Sequence, residues 1–204
     1  MRPALVPAHT RIVNHFNKET FVFTDPYEDG KSSRMDVILG KGGSGGGNAI
    51  AHIHPGTDEI FTVNSGCVMV MIDGKEYYAQ AGQSITVPKG ASHFFRNAFD
   101  GDTHLTVAFV TAQQHLRFFL NIARWTSQYP SYFQPDGSVK LLPIALALHA
   151  FPDHLYISGP PVWLQKALYA ALAPIARLMG YRLATEPVSK AERRALENDQ
   201  AFAA

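Results

Sequence analysis

From residue 11 to residue 112 the chain is cut into short strand-like runs by Gly, Pro, Asn and Asp. Many short runs at close spacing predict a sandwich or barrel, because each run buries its apolar face only against neighbouring strands. Thr20 to Phe23 is β-branched and aromatic. Arg34 to Leu39 alternates, with Met35, Val37 and Leu39 on one face. Val68 to Ile72 and Lys75 to Gln80 flank Asp73-Gly74. That dipeptide predicts a tight hairpin, since glycine accepts the positive φ the turn requires. Ser84 to Val87 ends at Pro88, and Thr103 to Val110 is the last alternating run.

Beyond residue 112 the texture changes to Ala and Leu at helical spacing. Leu116, Phe119, Leu120 and Ala123 share one face of a helix expected over 113–125. A second helix is expected over 141–151 and a third over 162–180, apolar on nearly all sides, kinked at Pro174 and ended by Gly180. A polar helix is expected over 189–201. The organisation read from sequence is therefore a barrel over 11–112 and an α-helical extension over 113–204, packed on the barrel or on a partner subunit. The third helix carries Lys166 and Arg177 and is short for a membrane span, so a core or interface helix is expected and no membrane partner.

Composition narrows the function classes. Hydrophobic residues at 46% against 17% charged describe a chain that folds around a core. A net charge of +1 gives no basic face for nucleic acid. The single cysteine, Cys67, forms no internal disulfide, and Met1 to Pro7 contains no sustained apolar run, so the chain reads as cytoplasmic. The glycine-rich stretch 40–47 lacks the Gly-Lys-Ser/Thr ending of a phosphate cradle and reads as a loop leading into the next strand, with the further expectation of a lid.

Ligand-type side chains gather just beyond that loop. His52 and His54 lie two apart, so on a strand they project to the same side, about 7 Å apart along it. Two imidazole nitrogens placed so can converge on one ion at about 2.0–2.1 Å. Pro55-Gly56 turns the chain, and Glu59 opens the next strand facing the same site. Farther on, Pro88 and Gly90 make a turn and His93 begins the returning strand as the candidate fourth ligand.

These two segments resemble the paired signature of the cupin family. Gly46, His52, His54, Glu59 and Gly66 stand at the family's spacings in the first, and Gly82, Pro88, Gly90, His93 and Asn97 in the second. The resemblance covers roughly residues 34 to 110. It implies an all-β jelly-roll barrel, a metal held by three histidines and one glutamate, and a homodimer. The expected cofactor is one divalent ion per chain, Fe, Mn, Ni, Zn or Cu, with two positions open on an octahedral ion.

Strand parity extends the site. Ile50 shares a face with His52 and His54, Phe61 and Val63 share one with Glu59, and Phe95 and Asn97 share one with His93. These five residues are expected to line an apolar, aromatic pocket for a small molecule carrying an oxygen donor. The resemblance extends to quercetin-dioxygenase-like and acireductone-dioxygenase-like cupins, which implies dioxygenase chemistry with Glu59 as both ligand and base. The competing readings are a metal-dependent binding protein or sensor and a non-redox isomerase or lyase. His104, His115, His149 and His154 read as surface or capping histidines, and Cys67 as a buried small hydrophobe.

Overall fold

Ten of the short runs between residues 10 and 110 pair into two antiparallel sheets that face each other as a jelly-roll barrel. The strands are β1 (Thr10–Asn14), β2 (Glu19–Asp25), β3 (Ser32–Leu39), β4 (His52–Ile53), β5 (Asp58–Ser65), β6 (Cys67–Ile72), β7 (Lys75–Gln80), β8 (Ser84–Val87), β9 (His93–Asn97) and β10 (Thr103–Val110). A late strand, β11 (Tyr156–Ile157), joins them. One sheet runs β1-β2-β3-β10-β5-β8, the other β11-β4-β9-β6-β7. This is a computed structural model that describes residues 4–27, 32–44, 50–111, 114–152 and 154–189.

The alternation read from sequence is what fills the barrel. Met35, Val37 and Leu39 of β3, Phe61 and Val63 of β5, and Leu105, Val107 and Phe109 of β10 are all buried, and Val68 and Val70 of β6 meet them from the other sheet. The hairpin forms at Asp73-Gly74, both with positive φ (47° and 81°), closing β6 onto β7 from Ile72↔Lys75 to Cys67↔Gln80. Gly66 is held more tightly. Its φ is +84°, and an added Cβ would stand 2.5 Å from Thr103 Oγ1 and 2.8 Å from Thr103 Cα. Gly66→Ala is expected to destabilise the fold by about 2–3 kcal/mol, read by chemical denaturation, because backbone and neighbour both resist it.

Among the described residues the C-terminal half contains three helices, α1 (His115–Gln128), α2 (Leu141–Ala150) and α3 (Val162–Leu178), with a 3-10 turn at Pro130–Tyr132. Helix α1 has two apolar faces. Leu116, Leu120 and Ala123 enter the barrel core, with Phe119 partly buried beside them. Phe118, Ile122 and Trp125 enter a second core shared with α2, Tyr156 and Tyr169. One helix thus belongs to both cores and couples the extension to the barrel.

Helix α3 packs by one face only. It buries Gln165, Tyr169, Ala173 and Ala176, while Trp163 is 70% exposed and Leu178 is 88% exposed. It is a one-sided helix packed on α2, not one buried all round. Mean apolarity along a helix does not say which face finds a partner. No helix among the described residues is long and apolar enough to cross a membrane. The final helix expected over 189–201 falls almost wholly outside the described residues, as do residues 45–49 of the glycine-rich loop and residues 112 and 113 at the expected boundary.

Two strands were not foreseen, β1 and β11. The second matters for the site. β11 pairs with β4 through Tyr156↔Ile53 and Ile157↔His52, so a segment of the extension forms the edge of the sheet that carries His52. Buried Gln165 pins it there. Its amide donates to the Ile157 carbonyl at 2.8 Å and the Pro160 carbonyl at 2.9 Å, and its oxygen accepts from the Ile157 N–H at 2.9 Å.

Candidate metal centre

Four ligand-type side chains from three strands and one strand end meet inside the barrel. His52 lies in β4 opposite His93, the first residue of β9. His54 follows the end of β4, and Glu59 is the second residue of β5, opposite Val87 and Phe109. The nitrogen or oxygen that each can offer lies within 4.8 Å of every other. Glu59 Oε2 is 2.8 Å from His93 Nε2 and 3.4 Å from His54 Nε2. His54, Glu59 and His93 are each at most 2% exposed, whereas His52 is only half-buried and marks the side from which the cluster is reached.

Hydrogen-bond accounting fixes how the rings face. A backbone carbonyl can only accept, so a ring nitrogen facing one carries the proton. His52 Nδ1–H donates to the Ile50 carbonyl at 3.0 Å, and His93 Nδ1–H donates to the Ala91 carbonyl at 3.0 Å. His54 Nδ1–H donates to the His154 carbonyl. All three imidazoles therefore turn Nε2 inward, and the buried Nε2 of His54 has no hydrogen-bond partner. An inward lone pair on each ring, held by a carbonyl behind it, is the arrangement of metal-binding histidines. The donor set of three imidazoles and one carboxylate fits a divalent transition metal.

The electrostatics agree. Burial pushes the Glu59 carboxyl up, but the imidazoles of His54 and His93 beside it outweigh that and hold the group well below the usual carboxylate range. For His93 burial opposes the charged form, yet its hydrogen bond and charge attraction to Glu59 raise it above the ordinary histidine value. His52 is depressed to about 3, by burial first and then by repulsion from His93 and His54. The metal-free cluster is thus a buried carboxylate sharing a proton with His93. A divalent cation competes for the place of that proton, so uptake is expected to release protons, and more of them as pH falls from about 8 to about 6.5, measurable in weakly buffered solution.

The expected lining residues separate into two groups. Phe61 and Val63 are buried on the inward face of β5, and the Phe61 and Phe95 rings lie 4.8 Å apart in the barrel core. Ile50 instead is 49% exposed, and its contribution to the site is its carbonyl. Asn97 is spent on the fold. Its Nδ2 donates to the carbonyls of Leu39, Gly40 and Gly101 at 3.0, 2.9 and 2.8 Å. Its Oδ1 accepts from Phe99 N–H at 2.8 Å and Thr103 Oγ1–H at 2.7 Å. It ties loop ends together and has no capacity left for a ligand. Asn97→Ala is expected to cost about 3 kcal/mol in denaturant titrations, from orphaned buried partners, while leaving metal affinity within about twofold of the parent.

Other expectations fall out variously. Asp58 accepts from Lys89 N–H at 2.8 Å and Arg34 pairs with Asp25 at 3.3 Å, both away from the cluster. His104 and His149 are exposed as expected, and Cys67 is half-buried where full burial was expected. His115 and His154 contradict the reading as surface or capping residues. They are 0% and 2% exposed, and with His54 they form a second group whose ring nitrogens lie within 4.8 Å of one another. His115 precedes Leu116 and lies one turn before Phe119, so helical spacing could have placed it near the barrel. His154 sits in a loop and carries no such signal.

Comparison with known proteins is consistent with this architecture. Residues 36–109 match the family model described as Cupin domain. Among solved structures, Pac13, described as a unique nucleoside dehydratase, is 14% identical and aligns over 56% of this chain and 85% of its own with a TM-score of 0.43. KdgF from Halomonas sp. is 15% identical over 56% of this chain and 97% of its own, also at 0.43. A cupin-superfamily sugar phosphate isomerase from Silicibacter pomeroyi is 18% identical over 53% and 68%, at 0.40. No curated protein matches the chain.

Proposed function

From the match of residues 36–109 to the cupin-domain family model, we propose that this chain is a metal-dependent enzyme acting on a small, largely apolar or aromatic, oxygen-bearing molecule. The observation that carries this is the common tautomer of His52, His54 and His93, each backed by a carbonyl and each turning Nε2 toward Glu59. When bound, a divalent ion at these four groups supplies a Lewis acid with open positions, able to acidify and orient a substrate oxygen. The chain's own part is to hold the donors and exclude water. Phe109 lies 5.6 Å from the His54 ring, and the tilted rings of Phe61 and Phe95 meet in the same core, so the surroundings are aromatic. Glu59 holds a proton with His93 at 2.8 Å and is the one carboxylate of the cluster, which makes it the candidate to take a proton from a substrate hydroxyl. Dioxygenase-type turnover of a phenolic or enediol compound is the activity this arrangement favours.

One observation favours a second reading. Three of the four groups are almost fully buried, which suits a site that binds without turnover or performs non-redox isomerase or lyase chemistry. Metal analysis of the purified protein, followed by oxygen-electrode assays on phenolic and enediol compounds, separates the two. Redox-active metal with oxygen uptake supports the dioxygenase. Tightly held zinc with no uptake moves the assignment to binding or non-redox chemistry. Absence of any bound or bindable divalent metal removes both.

A further inference from the structure

We infer that His115 and His154, both supplied by the C-terminal segment, are positioning residues for His54: their mutual hydrogen bond holds the His154 carbonyl against His54 Nδ1–H and so aims His54 Nε2 at Glu59. The inference rests on the reading of His52, His54, Glu59 and His93 as a metal site. It adds that the helical extension is a working part of that site.

Proton accounting carries the argument. Thr57 Oγ1–H donates to the Thr111 carbonyl at 3.1 Å, so its single proton is spent and its oxygen accepts. His115 Nε2 lies 3.1 Å from that oxygen and is therefore the donor. The ring is 0% exposed and the one proton of its neutral form sits on Nε2, facing Thr57, so Nδ1 is a bare acceptor. His154 Nδ1 lies 2.5 Å from His115 Nδ1 and must be the donor. The chain of donors thus runs one way, from His154 to His115 to Thr57 to the carbonyl of Thr111. The carbonyl of His154 receives the His54 proton at the other end.

Aromatic rings fix both imidazoles in place. His154 stacks on Phe118 at 3.7 Å, and His115 stacks on Phe109 at 4.3 Å. Thr57 lies two residues before Glu59, so the network ties the carboxylate's strand to His54 from behind. Leu or Phe in place of the two histidines would fill the same volume without polar groups to satisfy. Burying two imidazoles is costly unless their hydrogen bonds are made. Both nitrogens of His115 are bonded, whereas His154 bonds through Nδ1 and its buried Nε2 has no partner among the described residues.

The three rings His54, His115 and His154 could instead be ligands of a second ion. Against this, His54 Nδ1 is spent on a carbonyl, the His154 proton fills the gap to His115, and no carboxylate belongs to the group to offset a dication.

The test compares the full-length parent with His115→Leu and His115→Asn, loaded with Co(II). Asn retains an acceptor near the position of Nδ1, whereas Leu retains only volume. Three quantities are read: ions bound per chain, affinity by competition with a chelator, and the visible absorption of the bound cobalt. The expected result is one ion per chain throughout, with affinity lowered about 10–100-fold and altered cobalt bands in His115→Leu, and most of both recovered in His115→Asn. If His115→Leu does not fold, Thr57→Val is read in its place, and a fall of about 3–10-fold is expected from the weakened far end of the network. Parent-like affinity and cobalt spectrum in the folded Leu or Val variant would overturn the inference, leaving the pair as packing. Two ions per chain in the parent, with one lost in the variant, would overturn it by making the histidines ligands. A parent that binds no cobalt removes the metal reading itself and this inference with it, an outcome distinct from a variant that behaves like a metal-binding parent.

Discussion

Glu59→Gln is expected to abolish useful metal binding while leaving the metal-free fold nearly intact. The carboxylate is the one anion of the cluster, 2.8 Å from His93 Nε2 and 3.4 Å from His54 Nε2. Without its charge, three neutral imidazoles must hold a dication in a buried place with nothing to offset it. Affinity is expected to fall by more than about a hundredfold, beyond the range seen when only a group behind a ligand is lost. The glutamine amide nonetheless fits the metal-free site. Its oxygen and NH2 can meet the same inward nitrogens, so thermal unfolding of the metal-free variant should move by only about 1 kcal/mol. Chelator competition and thermal melts read the two effects separately. A variant that binds metal as tightly as the parent would show that the carboxylate is not a ligand.

The second large effect is acid sensitivity of the metal-free protein. His115 is held at about 3 and His154 well below its ordinary value, in both cases by burial first. Unfolding exposes both rings to water, where they take up protons near pH 6.5. The unfolded chain then binds more protons than the folded one, so stability present above about pH 6.5 is lost as pH falls below it. Each ring contributes a slope of about 1.4 kcal/mol per pH unit, and His52, also held at about 3, adds a third, about 4 for the three. The His93–Glu59 pair does not offset this window. Below pH 6.5 the raised His93 is protonated in both states, and the depressed Glu59 loses its contribution only as pH falls below about 4.5. By pH 4 the two rings held at about 3, His115 and His52, alone account for a loss of about 7 kcal/mol, a large share of the stability of an ordinary domain. Denaturant midpoints measured from pH 7 to pH 4 on chelator-treated protein should show this slope, and His115→Phe should lower it by about a third. A midpoint flat with pH would mean that these histidines are not buried neutral.

Much of the barrel and of the candidate centre was legible because the relevant signals are local. A strand places alternate residues on one face whatever lies beyond it, so Met35, Val37 and Leu39, or Glu59, Phe61 and Val63, declare their side at once. Asp73-Gly74 declares its turn in the same way, and Ser84–Val87 and Thr103–Val110 begin and end where their punctuation places them. Parity misled at Asn97. It shares a face with His93, yet its amide is taken by carbonyls of two loops, Leu39 and Gly40 on one side and Gly101 on the other. A side chain's direction is legible from the strand, whereas its partner is not.

The same distinction separates the two groups of histidines. By its own spacing the chain placed His52 and His54 together and Glu59 and His93 at the starts of two further strands, and the cupin resemblance joined the four, because both signals depend on strand period and short turns. Only the tertiary structure decided that His154, a hundred positions from His54, lays its carbonyl on that ring, and that His115 meets His154 across 39 residues. It also decided that α3 buries a single face. Those contacts depend on how the helical extension folds back along α1 and β11. No periodicity records that path, since the energy that selects it comes from two cores packing together and not from any single segment.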